Sequence, residues 1–302
     1  MRPRQWLKNA SVAAALIFSG NLFEMEMVWL TLEAVVIFSI LASGIYLIND
    51  VLDRESDRQH PFKKLRPIAA GKISVGQALF WATILLLVAN WWASELSGFF
   101  FITVVAYWIM QLAYSLKLKH IAIIDLIIVA GGFILRIYGG AMVINAHLSI
   151  WFLLCVVSVA LLISVGKRRA ELAILTRENA SKHRSVLSKY SKSLLDGYVS
   201  MFANSAFISW ALFTFFQPPL AVSHAFPSIF TRLPITLAGT NKWLMITLPV
   251  VIYGLMRYMK IIYEGSKAES PERVLLQDKP LLVSVMIWGL LVVVILYWLP
   301  GS

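Results

Sequence analysis

The chain has 302 residues, of which 59% are hydrophobic and only 14% charged, with a formal net charge of +11. Soluble domains carry about 25% charged residues, so an ordinary soluble enzyme, a disordered chain and a secreted disulfide scaffold are all excluded. The single cysteine, Cys155, excludes an internal disulfide and a cysteine-cluster metal site.

What remains is an all-α, polytopic membrane protein. The apolar runs are continuous rather than alternating, which argues against a β-barrel. Nine transmembrane helices are expected, near 8–26, 28–51, 74–94, 98–116, 121–143, 148–167, 194–216, 242–263 and 280–299. Each approaches the roughly 20 residues that a crossing needs. The first is the weakest, because Asn21, Glu24 and Glu26 interrupt its end. Arg2, Arg4 and Lys8 ahead of an apolar stretch imitate a signal peptide, but the many later spans favour an uncleaved first helix.

With a cytoplasmic N-terminus and alternating spans, 24 of the 27 Lys and Arg residues fall on the inner side. That asymmetry supports both the span count and the orientation, with an outer C-terminus in the inner (cell) membrane. The basic excess therefore needs no nucleic acid; topology, or an anionic substrate or lipid headgroup, accounts for it. The inner loops near 52–73, 168–193 and 264–279 are long and polar. The outer loop 217–241 carries Pro218, Pro219, Pro227 and Pro234 and is expected to form an ordered cap or re-entrant segment, with no assigned role. Such unequal faces suggest chemistry on the cytoplasmic side rather than transport.

The run from Asn49 to Asp57 (Asn-Asp-Val-Leu-Asp-Arg-Glu-Ser-Asp) is the most informative stretch. If helix two continues past the membrane edge, Asp50, Asp53 and Asp57 share one face, bordered by Asn49. Like charges at this spacing repel, and a helix C-terminus disfavours anions. A divalent cation reverses both penalties, and an all-oxygen set suits Mg²⁺. The alternative is a solvated juxtamembrane helix in which Arg54 and Arg58 pair with the acids. Lys63, Lys64 and Arg66 follow at once between Pro61 and Pro67. A metal-binding acidic face followed by a basic loop suits a diphosphate ester; positive-inside topology alone explains the loop equally well.

Asn-Asp-x-x-Asp-x-x-x-Asp at this place resembles the first aspartate-rich motif of the UbiA-type intramembrane polyprenyl transferase superfamily. The resemblance implies a single domain over 1–302, a bundle of about nine helices around a central cavity. More narrowly, four stretches resemble its decaprenyl-phosphate phosphoribosyltransferase branch: Arg2–Asn9, Ser43–Asp50, Arg66–Gly71 and Gly166–Leu172. That branch implies phosphoribosyl diphosphate as donor, a polyprenyl phosphate as acceptor and pyrophosphate as leaving group, for lipid-linked pentose donors of cell-wall synthesis. The resemblance implies a Mg²⁺ site on Asn49, Asp50, Asp53 and Asp57.

The second acidic motif of many superfamily members is absent; Gly166-Lys167-Arg168-Arg169-Ala170-Glu171 stands in its place. Lys167, Arg168 and Glu171 match the phosphoribosyl branch and suit direct anion binding, although snorkelling at a helix end would also explain the basic pair. Lys8 lies in another of the matching stretches. Tyr114, Lys117 and Lys119 end helix four on the inner side, as phosphate ligands or as an aromatic belt with topogenic lysines. Asp125 and Arg136 share a face of helix five, about 16 Å apart, so one small ligand is not expected to touch both. Both are candidates for the donor site, with structural pairing inside the bundle as the alternative. Two rivals stay open: a prenyltransferase using a prenyl diphosphate and an aromatic or other acceptor, and an anionic solute transporter. A homo-oligomer is compatible with the sequence.

Overall fold

The computed structural model describes residues 3–59, 63–174, 187–217, 242–264 and 277–298. Every regular element among them is helical. A 3-10 helix, Pro3–Ala13, runs into α1 (Ala14–Phe18). Then come α2 (Met25–Leu52), α3 (Arg54–Gln59), α4 (Val75–Leu96), α5 (Gly98–Leu116) and α6 (Ile124–Val143). The chain continues through α7 (Ile150–Ile174), α8 (Lys192–Phe216), α9 (Leu248–Glu264) and α10 (Lys279–Trp298). Eight helical segments among the described residues are long and apolar enough to cross a bilayer, so the chain is a multi-pass membrane protein.

Eight of the nine expected spans match these segments; the first does not. Its apolar helix covers only Trp6–Phe18, short of the roughly 20 residues a crossing needs. Gly20 adopts a φ of 87° and the Glu24 amide bonds the Asn21 carbonyl, so the chain turns before α2 starts at Met25. The sixth span runs on instead. α7 continues to Ile174, past the expected end at 167. Its charges find partners within the second unit: Arg168 pairs with Glu171 on the same helix at 2.8 Å, and Arg169 with Asp196 of α8 at 2.5 Å. The expected cap at 217–241 falls, beyond Gln217, outside the described residues, as do 60–62, 175–186 and 265–276.

The described chain forms two compact units. The first comprises Met1–Ala15, Met25–Ala146 and Arg177–Lys189. Within it α2 packs against α4, α5 and α6, and the N-terminal 3-10 helix packs against α2 and α6. Small residues allow these approaches. The buried side chains of α4 are Ala78, Ala82, Ala89 and Ala93, a single alanine stripe. A Cβ at Gly44 of α2 would already stand 3.2 Å from the Ala82 carbonyl oxygen. Across the helix from that stripe, Phe80, Trp81, Leu87 and Trp91 are exposed, an outer surface suited to lipid. α4 begins with a capping box: Ser74 Oγ accepts from the Gln77 amide, and Gln77 Oε1 accepts from the Ser74 amide.

The second unit comprises Leu16–Glu24, His147–Thr176 and Tyr190–Ser302. α7 packs along α8, and α9 packs against α7, α8 and α10. Phe18, Phe152, Trp210, Phe213 and Trp288 form an aromatic core with ring centroids 4.5–6.4 Å apart. The Tyr297 hydroxyl donates to the Ile17 carbonyl at 2.8 Å and accepts from the Leu22 amide at 3.1 Å, tying α10 to the turn after α1. Arg257 grips Asp278 through Nε and Nη2, and Asp278 Oδ1 also accepts from the Leu281 amide at the start of α10.

A Cβ at Gly140 of α6 would fall 2.1 Å from the Val12 carbonyl oxygen, whereas one at Gly289 meets nothing within 4 Å. Gly140→Ala is therefore expected to destabilise the protein by at least about 1–3 kcal/mol. Gly289→Ala should be neutral or slightly stabilising. Thermal unfolding of both variants in detergent tests the difference.

Candidate active site

The acidic run lies where α2 ends. The helical hydrogen bonds nearly continue across the break: the Asp53 amide bonds the Asn49 carbonyl at 2.9 Å, and the Asp57 amide bonds the Asp53 carbonyl at 2.8 Å. Asp53 itself is a turn residue between α2 and α3. The expected single face is therefore nearly kept, but its acids find cations from remote segments. Arg66 Nη1 lies 3.2 Å from Asp50 Oδ1 and 2.5 Å from Asp57 Oδ2. Lys119 Nζ lies 2.6 Å from Asp53 Oδ1, and Asn49 Nδ2 donates to Asp53 Oδ2 at 3.1 Å.

Burial sets the stakes of these pairs. The Asp57 side chain is 4% exposed and that of Asp50 13%, against 25% for Arg66. Removing the cation from a buried carboxylate costs several kcal/mol, about 3–5 in typical cases. Arg66 is held in place by its own loop. Its amide bonds the Lys63 carbonyl, its carbonyl accepts from the Ala70 amide, and Arg58 Nε of α3 reaches the Ala69 carbonyl at 3.2 Å. Gly71 follows with a φ of 76°, letting the loop turn toward the Ser74 cap. A cavity of about 160 Å³ opens beside Asp50 and Arg66, walled by Tyr46, Leu47, Ile68 and Ile73. Ligand pockets usually span roughly 300–1,000 Å³, so this one takes a single small group beside the acids.

Lys119 reaches Asp53 from the connection between α5 and α6, where a 3-10 turn covers Leu118–His120. Lys189 Nζ bonds the His120 carbonyl at 3.1 Å and steadies that connection. It ends at Ile123, whose φ of 71° is strained for a β-branched residue. α6 then starts, and Asp125 lies fully buried in its first turn, where a carboxylate is favoured by the helix dipole.

Of the sequence candidates, the structure brings together Asn49, Asp50, Asp53, Asp57, Arg66 and Lys119. Lys63, Lys64 and Lys117 are exposed, and Lys8 and Tyr114 are half-buried. Arg136 is placed elsewhere. It is 5% exposed, and its donors go to Asn9 Oδ1 at 2.7 Å, the Gly132 carbonyl at 2.8 Å and the Tyr107 hydroxyl at 2.6 Å. Asn9 in turn donates to Ser39 Oγ at 2.9 Å. These bonds form the structural pairing weighed as the alternative for Arg136, a tie joining the N-terminal helix to α2, α5 and α6. Lys167, Arg168 and Glu171 belong to the second unit, where Arg168 is 1% exposed and pairs with Glu171.

Sequence reasoning missed the partners rather than the acids. Nothing in the sequence links Asp53 to a lysine 66 residues later, Arg58 to the Ala69 carbonyl, or Arg136 to Asn9 and Tyr107. Arg54 Nε is buried with no hydrogen-bond partner among the described residues.

Among the described residues no three His, Cys, Asp or Glu side chains gather as a ready metal shell. Two carboxylates instead converge on one cationic nitrogen. That donor set fits Mg²⁺, which uses one or two protein carboxylates and completes its octahedron with water and phosphate oxygens.

The UbiA prenyltransferase family model matches residues 10–170. The chain is 34% identical to a decaprenyl-phosphate phosphoribosyltransferase of Mycolicibacterium smegmatis, over 95% of this chain and 88% of the relative. It is 32% identical to a decaprenyl-phosphate phosphoribosyltransferase of Corynebacterium glutamicum, over 99% and 86%. Among solved structures, a UbiA homolog from Archaeoglobus fulgidus bound to GPP and Mg²⁺ superposes with a TM-score of 0.68, at 18% identity, over 97% of each chain.

The Arg136 tie carries its own test. Arg136→Met leaves Asn9 and Tyr107 with broken bonds inside the unit and should lower stability by at least about 1–3 kcal/mol. Arg136→Lys should recover only part, because one ammonium cannot reproduce a three-way fork. Detergent unfolding midpoints of the two variants decide it; equal midpoints with the parent would contradict the tie.

Proposed function

The chain belongs to the UbiA prenyltransferase family, and from that premise we propose that it transfers 5-phosphoribosyl from phosphoribosyl diphosphate to a polyprenyl phosphate such as decaprenyl phosphate, releasing pyrophosphate. The product would feed lipid-linked pentose donors of cell-wall synthesis. One observation carries the reading: Asp50 and Asp57 converge on a single cation at the end of α2, with Asp53 and Lys119 beside them. Identity to phosphoribosyltransferases over nearly the whole chain favours this donor over a prenyl diphosphate.

Magnesium supplies positive charge to the donor diphosphate when bound. Asp50 and Asp57 would hold it, with Asp53 and the Asn49 amide beside them. Arg66, Lys63 and Lys64 neutralise the leaving pyrophosphate. Lys117 and Lys119, on the connection between α5 and α6, and Tyr114, in the last turn of α5, hold further phosphate oxygens, with Lys8 as an additional cation. Asp125 orients groups of that connection from the first turn of α6.

In the transfer, a phosphate oxygen of the lipid attacks the anomeric carbon. The bond from that carbon to the diphosphate oxygen breaks, and its electron pair leaves with pyrophosphate. The attacking phosphate is already anionic, so no strong general base is needed. Positioning and electrostatic stabilisation of the growing charge provide the catalysis. In-line displacement on an α-configured donor gives a β product. The basic asymmetry of the sequence puts this chemistry on the cytoplasmic face of the inner membrane.

Pyrophosphate release by the purified protein, with phosphoribosyl diphosphate, Mg²⁺ and decaprenyl phosphate each omitted in turn, tests the reaction. Release is expected only when all three are present, with phosphoribosyl-phosphodecaprenol seen by mass spectrometry. Asp50→Asn should reduce turnover by about 100-fold or more. Turnover of a prenyl diphosphate with no product from this pair would overturn the donor assignment.

A further inference from the structure

We infer that Arg66 is a stand-in cation, holding the two metal-binding carboxylates together until a divalent ion replaces it and then moving to the donor diphosphate. The inference rests on the proposed metal and diphosphate reading and adds an exchange step within it.

The geometry points to exchange rather than to a permanent ion pair. A guanidinium usually meets a carboxylate as a two-pronged fork. Here one nitrogen, Nη1, contacts oxygens of two different carboxylates, at 3.2 Å from Asp50 and 2.5 Å from Asp57. That is the position of a cation bridging two acids. A magnesium ion bound by the same oxygens at about 2.0–2.1 Å would share them with a second positive charge. The two cations therefore compete for one place.

The partners also differ in their freedom to leave. Asp50 belongs to α2 and Asp57 to α3, and the Asp57 side chain is the most buried of the three at 4% exposed. Arg66 stands on the connecting segment just after the 3-10 turn Lys63–Leu65, and its side chain is the most exposed at 25%. The carboxylates stay and the guanidinium can swing. It cannot swing alone, because Asp57 would be left as a buried charge without a cation. Departure therefore requires an arriving ion, and a diphosphate bound to that ion offers Arg66 new oxygens. Charge is conserved at each stage: the acids always face a cation, and the arginine always faces anions.

A consequence is that metal binds weakly without donor and strongly with it. Mn²⁺ binding followed by EPR, on the full chain in detergent, reads this directly, first with metal alone and then with inorganic pyrophosphate. Arg66→Gln removes the competitor and should bind Mn²⁺ alone roughly tenfold tighter than the parent. Arg66→Lys retains a positive charge for folding but holds the acids as a more strongly hydrated point charge, so it should bind Mn²⁺ severalfold tighter. Pyrophosphate should tighten Mn²⁺ binding more in the parent than in Arg66→Gln. Equal or weaker Mn²⁺ binding in both variants, or the same pyrophosphate effect in parent and Arg66→Gln, would overturn the exchange while leaving the metal site standing. No Mn²⁺ binding by any of the three proteins, with or without pyrophosphate, would remove the metal reading and the exchange together.

Discussion

Three carboxylates gathered across the break between α2 and α3 impose the constraint around which the first unit is organised. Asp50, Asp53 and Asp57 repel one another, and Asp50 lies in the last turn of α2, where the dipole is already negative. They persist because cations are delivered from elsewhere. Arg66 comes from the loop before α4, and Lys119 from the connection before α6. Each delivery fixes a segment: the loop is pinned by Arg58 to the Ala69 carbonyl, and the connection by Lys189 to the His120 carbonyl. Neutralising the acids and closing this end of the unit are thus the same physical event.

The membrane-embedded part holds this end in register. α2 approaches α4 through Gly44 and the alanine stripe, and α6 meets the N-terminal helix through Gly140. Lipid provides little hydrophobic drive between helices, so close packing and internal hydrogen bonds must do the joining. Arg136 supplies three of those bonds from within a span, to neutral acceptors on three elements. A charged residue inside a bilayer is by default a functional candidate; here each of its three nitrogens donates to a neighbouring protein group. The chemistry we propose lies instead with the acids at the end of α2.

Long apolar runs made most helices legible from sequence, and eight spans lie close to where hydropathy placed them. The first failed because Gly20 turns the chain before a crossing length is reached. The sixth was cut short because Lys167 to Glu171 is dense in charge, yet Arg168 and Glu171 satisfy each other one turn apart on a helix that continues. At the site, the spacing of the aspartates was visible, since it depends only on helix periodicity. Their cations were not. Arg66 was expected on phosphate rather than on Asp50 and Asp57, and Lys119 meets Asp53 only after two spans have brought it back. Local spacing shows what a segment needs, and only the fold shows what supplies it.

On the proposed function, a divalent ion and the donor diphosphate meet at the end of α2. Fe²⁺ substituted for Mg²⁺ cuts the backbone beside its own site when peroxide and ascorbate are added, and mass spectrometry locates the cuts. With phosphoribosyl diphosphate present, the account predicts cuts within Asn49–Asp57 and around Arg66, suppressed by excess Mg²⁺. Cuts confined to other segments, or the same pattern in Asp50→Asn, would contradict it.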